Sequence, residues 1–148
     1  MISSKKGYLI VDIGTGNVRV ALVGTEGKIL DMQRDNVVYM EDEGLIEAQS
    51  FDPEILWMQI LNLTKKVLKN GDDIKVLAIT ASSQREGIVL VDKDGRALLG
   101  LPNHDHRGRL WENEVRDKKR VYELTGRYPS SLFSALKLRG IKEKRSTV

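Results

Sequence analysis

The first residues whose types and spacing suit a chemical task are Asp12-Ile13-Gly14-Thr15-Gly16-Asn17-Val18-Arg19. The two glycines allow positive φ and let a ligand come close to the backbone. Backbone N–H groups of Thr15, Gly16 and Asn17, with the polar side chains there, can surround a phosphate. Arg19 can add a charge-assisted contact. Asp12 can hold a hydrated Mg²⁺ beside the same anion, because this ion prefers one or two carboxylates plus waters. The Gly-Lys-Ser/Thr ending of a Walker A loop is missing. The plain alternative is a tight hairpin with a surface aspartate.

A second stretch is Ser82-Ser83-Gln84-Arg85-Glu86-Gly87. It is read as a polar loop between two apolar strands, the place where α/β sheets usually bind ligands. Arg85 donates and Glu86 accepts, so adjacent residues offer both kinds of hydrogen bond to neighbouring hydroxyls, which suits a polyol. A solvated turn with an incidental ion pair is the alternative. The third stretch is Asn103-His104-Asp105-His106-Arg107. Its His-x-Asp-x-His spacing lacks a third convincing metal ligand. A ligand-facing Asp105–Arg107 pair and ordinary loop chemistry both stay open.

The elements that must position these residues follow from periodicity. Tyr8–Ile13 is a nearly continuous apolar run, as for a strand buried on both faces. Val18–Val23 and Lys28 to about Val38 complete a three-strand meander with hairpin-length loops. Asp52-Pro53 opens a helix as cap and first helical residue. Leu56, Ile60, Leu63 and Val67 form one face of it, and Asn70-Gly71 ends it. Ile74–Thr80 is a fourth strand, and Gly87–Asp92 with Arg96–Gly100 a further hairpin. Two helices follow, from about Leu110 to Leu124, stopped by Gly126, and from Ser130 to about Lys142. Leu132, Ala135 and Leu136 are expected to share a face of the last one. A meander, a crossover helix and a parallel fourth strand make an α/β, ribonuclease H-like (actin-like) arrangement.

Length and composition limit the alternatives. The 148 residues suffice for one ordinary domain. Apolar residues are 41% and charged residues 30%, a balance that reads as globular. Cysteine is absent, which excludes disulfides, thiolate metal sites and cysteine nucleophiles. No apolar run approaches the roughly 20 residues of a membrane helix. Met1–Gly7 is too short and polar for a secretory signal, so the expected location is the cytoplasm, with no membrane partner. Net charge is +3 but uneven: residues 107–148 hold 12 basic and 5 acidic groups. The cations are read as solvent-facing coats on the terminal helices. Aromatics at 5% offer no stacking platform for single strands, so nucleic acid is not the expected partner.

Taken together, the three stretches resemble the FGGY family of carbohydrate kinases. Asp12 to Arg19 looks like the family's first phosphate motif. Ser50–Trp57 resembles the opening of its first long helix, and Gln84–Gly87 its sugar-contacting loop. Asn103–Arg107 resembles its Trp-x-Asp-x-Arg stretch, with Asn103 where many members carry Trp. Arg85–Leu90 followed by Asn-x-Asp-x-Arg looks most like the autoinducer-2 kinase branch.

The resemblance implies transfer of the γ-phosphoryl of ATP to a hydroxyl of a sugar or polyol. Gly14, Thr15, Gly16 and Asn17 would cradle the phosphates, Arg19 would stabilise charge, and Asp12 would order Mg²⁺. Gln84, Arg85, Glu86, Asn103, Asp105 and Arg107 would form the substrate side. Family enzymes are several times longer, with a general-base aspartate and an adenosine pocket in later residues. Residues 1–148 are therefore expected to be the N-terminal, sugar-binding portion of the first domain. No catalytic base is expected within them, nor turnover by the chain alone. Apolar faces that later elements would cover are expected to favour self-association.

Two rivals share parts of this pattern. A ribonuclease H-like nuclease would need further carboxylates converging on Asp12 from the fourth strand and last helix. Ile74–Thr80 has none and the last helix has only Glu143. A non-catalytic binding module is the other.

Overall fold

The alternation of apolar residues in the first two strands sets the core of one half of the chain. In the structure, a computed structural model that describes residues 5–45, 47–71 and 73–145, β1 is Lys5–Ile13, β2 Asn17–Gly24 and β3 Ile29–Asn36. Residues 1–4, the start of the segment read above as non-secretory, lie outside the described residues. The chain divides into two compact units, Met1–Val38 with Asp52–Gln84 and Tyr39–Phe51 with Arg85–Val148.

In the first unit, β1 and β2 pair antiparallel, β2 and β3 pair antiparallel, and β6 (Ile74–Ser83) joins β1 in parallel. The strand order β3-β2-β1-β6 is the expected ribonuclease H-like, actin-like arrangement. Helix α1 (Pro53–Asn70) makes the crossover. Its Asp52 cap accepts from the N–H groups of Glu54 and Ile55, satisfying donors that a helix N-terminus leaves unpaired. Leu56, Ile60, Leu63 and Val67 are buried, as the spacing predicts, and α1 packs on β2 and β3. Val18, Val20 and Leu22 of β2 are wholly buried. Each such side chain contributes about 1.5–3 kcal/mol.

The expectation that β1 is buried on both faces is not met. Leu9 and Val11 are buried but Tyr8 is exposed, the alternation of a strand with one covered face. β6 buries no side chain, and every residue from Leu77 to Ser83 is exposed. β6 also runs three residues beyond the expected Thr80, so Ser82 and Ser83 are strand, not loop.

The second unit contains two short antiparallel pairs, β4 (Met40–Glu41) with β5 (Gln49–Ser50) and β7 (Ile88–Val91) with β8 (Ala97–Leu101). The β4–β5 pair was not expected, since two-residue strands carry no readable alternation. The helix expected over 110–124 is broken. Arg109–Glu114 is a 3-10 turn, Val115 is extended, and α2 covers only Lys118–Thr125. Asp117 explains the restart: its side chain accepts from the Arg120 N–H and caps a new helix. Gly126 ends α2 in the left-handed conformation, φ 73°, as its position predicts. Helix α3 is Ser134–Arg145, four residues later than expected, after a turn in which Phe133 N–H donates to Ser130 O. Its inner face also differs. Leu136 is buried, but Leu132 and Ala135 are exposed, while Lys137 and Gly140 are buried.

Candidate functional site

The strand register assembles the centre of the first unit. Asp12 stands opposite Arg19 across β1–β2 and opposite Ser82 across β1–β6. Its Oδ2 accepts from Arg19 Nη1 at 2.9 Å and its Oδ1 from Ser82 Oγ at 2.8 Å. These hydrogen bonds, Ser82 first, hold its carboxyl below the ordinary carboxylate range. Arg19 therefore already has a carboxylate partner.

The turn that follows is tighter than expected but less strained. Neither Gly14 nor Gly16 has positive φ, so conformational freedom is not what glycine supplies here. Gly14 N–H donates to Asn17 O at 2.9 Å, and a Cβ on Gly14 would stand 3.2 Å from that same oxygen. Glycine at 14 allows a close approach of backbone to backbone. Its N–H is engaged by the turn. A Cβ on Gly16 would meet nothing within 4 Å. Thr15 and Gly16 are exposed at the tip, and Asn17 Nδ2 is anchored to Asn36 Oδ1 at 2.7 Å.

Asp12 offers Mg²⁺ one ionised, half-exposed carboxylate. That donor fits an ion held largely through its own waters. Among the described residues no three His, Asp or Glu side chains converge as a metal cage, at His104–His106 or elsewhere. The carboxylates that two-metal nuclease chemistry requires are thus not gathered at Asp12.

The second unit holds a cleft of about 280 Å³. Its polar walls are Arg85, Glu86, Asn103, His104, His106 and Arg127, and Leu132 and Phe133 give it an apolar side. Glu86 is a non-glycine residue with φ 60°, a conformation that side chains adopt only where the surroundings impose it. Its carboxylate lies 3.9 Å from Arg127 Nη1, and the Arg127 guanidinium sits 5.7 Å from the Phe133 ring centroid. The His104 ring contacts Gln49 Oε1 and, at 3.1 Å, Asn103 Oδ1, with the edge of Tyr39 packed on it. Burial, then the nearby Lys137 charge, holds His104 below its ordinary value of 6.5. His106 Nδ1 pairs with Ser131 Oγ at 2.9 Å. The arrangement presents donors and acceptors side by side, as recognition of vicinal hydroxyls requires.

The structure brings Arg85, Glu86 and Asn103 together in this cleft. Gln84 lies in the first unit, at the end of β6, its N–H donating to Ile13 O at 2.7 Å. Asp105 and Arg107 do not line the cleft. They are buried, with 0% and 2% exposure. Arg107 Nε donates to both oxygens of Asp105, Nη1 to Asp42 at 3.0 Å and Nη2 to Gln49 O at 3.0 Å. Gln49 N–H donates back to Asp105. The pair anticipated as ligand-facing is a buried internal brace, bonded to Asp42 and Gln49. Sequence reasoning missed Arg127, the cleft-facing role of His106, and Lys137. The available signal was Lys137 itself, a cation set directly beside Leu136 on the inner face of a helix.

The model of the FGGY family of carbohydrate kinases, N-terminal domain, matches residues 7–148. A Bacillus subtilis (strain 168) protein named "Putative sugar kinase YoaC" is 44% identical over 147 residues, 99% of this chain and 30% of its own length. An Escherichia coli (strain SMS-3-5 / SECEC) autoinducer-2 kinase is 26% identical over 133 residues, 84% of this chain and 25% of its own. Among solved structures, a gluconate kinase from Lactobacillus acidophilus superposes with a TM-score of 0.85 at 18% identity, covering 97% of this chain and 29% of that one. The chain therefore spans less than a third of the length of the relatives it matches.

Proposed function

This chain belongs to the FGGY family of carbohydrate kinases, and from that premise we propose that it takes part in ATP-dependent phosphorylation of a hydroxyl on a sugar or sugar-like polyol. Residues 1–148 would supply the N-terminal, sugar-binding portion of the kinase's first domain. The observation that carries this reading is the cleft in which Arg85, Glu86 and Asn103 meet. Arg85 donates to one substrate hydroxyl, Glu86 accepts from its neighbour, and Asn103 with His104 and His106 completes the polar wall. Leu132 and Phe133 cover the apolar C–H face of the substrate. The narrower substrate we propose is autoinducer-2-like, supported by the Arg85–Leu90 stretch and by relatives named as autoinducer-2 kinases.

Phosphoryl transfer needs positioning and charge neutralisation more than covalent help. Thr15, Gly16 and Asn17 face the phosphates of ATP from the β1–β2 turn, and Arg19 offers them a cation once it releases Asp12. Mg²⁺, held by Asp12 through water, would neutralise charge on those phosphates. We assign the adenosine pocket and the general base that takes the hydroxyl proton to residues other than these 148.

The test is titration of the 148-residue chain with glycerol, pentoses, gluconate and autoinducer-2, followed by NMR. Binding that shifts the signals of Arg85, Glu86 and Asn103 is expected, with no phosphorylation of the bound compound on adding ATP and Mg²⁺. Absence of binding across the panel overturns the cleft assignment, and steady phosphorylation overturns the assignment of the base elsewhere.

A further inference from the structure

Lys137 carries the only ammonium among the described lysines that is wholly shielded from water, at 0% exposure. A buried charge is tolerated only where its hydrogen-bonding groups are satisfied. Its Nζ donates to two backbone carbonyls, Glu86 O at 2.9 Å and Pro102 O. Those carbonyls belong to the two segments that form the polar walls of the cleft. Glu86 is itself a wall residue, and Pro102 immediately precedes Asn103.

Two further observations point the same way. Glu86 holds φ 60°, a conformation that must be imposed by its surroundings, and the Lys137 bond to its carbonyl is a constraint of that kind. Helix α3 is also pressed onto the backbone that follows Asn103. A Cβ on Gly108 would fall 2.3 Å from Leu136 O, and one on Gly140 would fall 2.7 Å from Arg107 O. That contact places residue 137 within reach of both carbonyls and leaves it little room to move. Burial drives the Lys137 pKa down, opposed by the negative charges of Asp105 and Glu86.

We infer that Lys137 is a positioning residue of the cleft, tying the Glu86 and Pro102 carbonyls to one cation and so fixing Arg85–Glu86 against Asn103. This rests on the reading of the cleft as the sugar site. The lysine touches no substrate; it acts through the two backbone segments it joins.

The experiment uses the 148-residue chain. In the unmodified protein, the Lys137 side chain should give a protected ammonium signal by NMR, with couplings across its hydrogen bonds to the Glu86 and Pro102 carbonyls. A Lys137 signal that exchanges like those of surface lysines overturns the inference without any variant. In Lys137→Met, hydrogen exchange at the Asp105 amide, which donates to the same Pro102 carbonyl, should quicken about tenfold or more, as loss of a charged hydrogen bond entails. Affinity for the best-binding compound of the panel should fall by a similar factor. Leu136→Ala is the comparison, since it weakens the same helix but touches neither carbonyl. It should lower Tm while leaving both quantities within about threefold. If Lys137→Met behaves like Leu136→Ala, the lysine is only a core residue and the inference fails; if Lys137→Met does not fold, the ammonium signal decides. If no compound binds the unmodified chain, the sugar-site reading falls, while the ammonium and amide-exchange measurements still decide the clamp.

Discussion

Two aspartate–arginine pairs with the same 2.9 Å contact sit in the two units, and they are built for opposite ends. Asp12–Arg19 leaves 39% and 40% of its side chains exposed, whereas Asp105–Arg107 leaves 0% and 1%. In the exposed pair, Arg19 gives one nitrogen to Asp12 across a strand pair. Solvent screening keeps such a contact weak, so either partner can be exchanged for a ligand at small cost. In the buried pair, Arg107 uses Nε, Nη1 and Nη2 on protein acceptors, and burial keeps the group away from solvent. Burial, not residue type or distance, separates a pair open to solvent from one that braces the interior.

The largest effect should come from breaking the brace. Arg107→Met leaves Asp105 buried without its counter-charge and strips Asp42 and Gln49 O of a donor. Removing one partner of a buried pair costs about 3–5 kcal/mol, and urea unfolding of the variant should show a loss of that size. A loss below about 1 kcal/mol would put the buried pair in the range of exposed ones and would erase the contrast.

The two pairs also mark what could be read without coordinates. Asp12 and Arg19 stand out because a strand, a glycine turn and a returning strand bring them close in sequence, but their pairing with each other is visible only in the structure. Asp105 and Arg107 were found, but their orientation was not. Alternate residues of one segment point to opposite sides, and which side faces the cleft depends on Asp42 and Gln49, more than fifty residues earlier. The α1 face was legible from its 3.6-residue spacing. The α3 face was misread because its inner positions hold Lys137 and Gly140, which hydrophobic periodicity does not register. Asp117 could have been read as a cap; the unbroken helix expected over 110–124 passed through it.

A smaller and opposite effect is expected in the cleft wall. Glu86 pays for its left-handed backbone, as neither aspartate pair does. Glu86→Gly removes that strain and should raise stability by about 1 kcal/mol, with glycine's added chain entropy offsetting part of the gain. If the cleft is the sugar site as proposed, affinity for the best-binding compound should fall at the same time, because the accepting carboxylate is gone. A rise in the urea midpoint together with lost binding would show that the wall holds strain in exchange for a placed carboxylate. A variant that is less stable as well would mean that the carboxylate's contact with Arg127 outweighs the backbone term.

The smallest effect on stability should come from Asp12→Asn, and its pH dependence is the sharper measure. The Ser82 and Arg19 hydrogen bonds hold the Asp12 carboxyl below its ordinary value of 3.8. A carboxylate depressed in the folded state contributes stability that is fully present above the unfolded value and is lost as pH falls through the folded one. Asp12→Asn should therefore cost less than about 1 kcal/mol at neutral pH, the discount that solvent imposes on an exposed pair. The difference from the unmodified chain should shrink only below about pH 3.8. Thermal melts at pH 7 and through a series of values below pH 3.8 follow that loss. A large penalty at pH 7 would mean that Asp12 is a brace like Asp105, and then Arg19 would not be available to a phosphate at all.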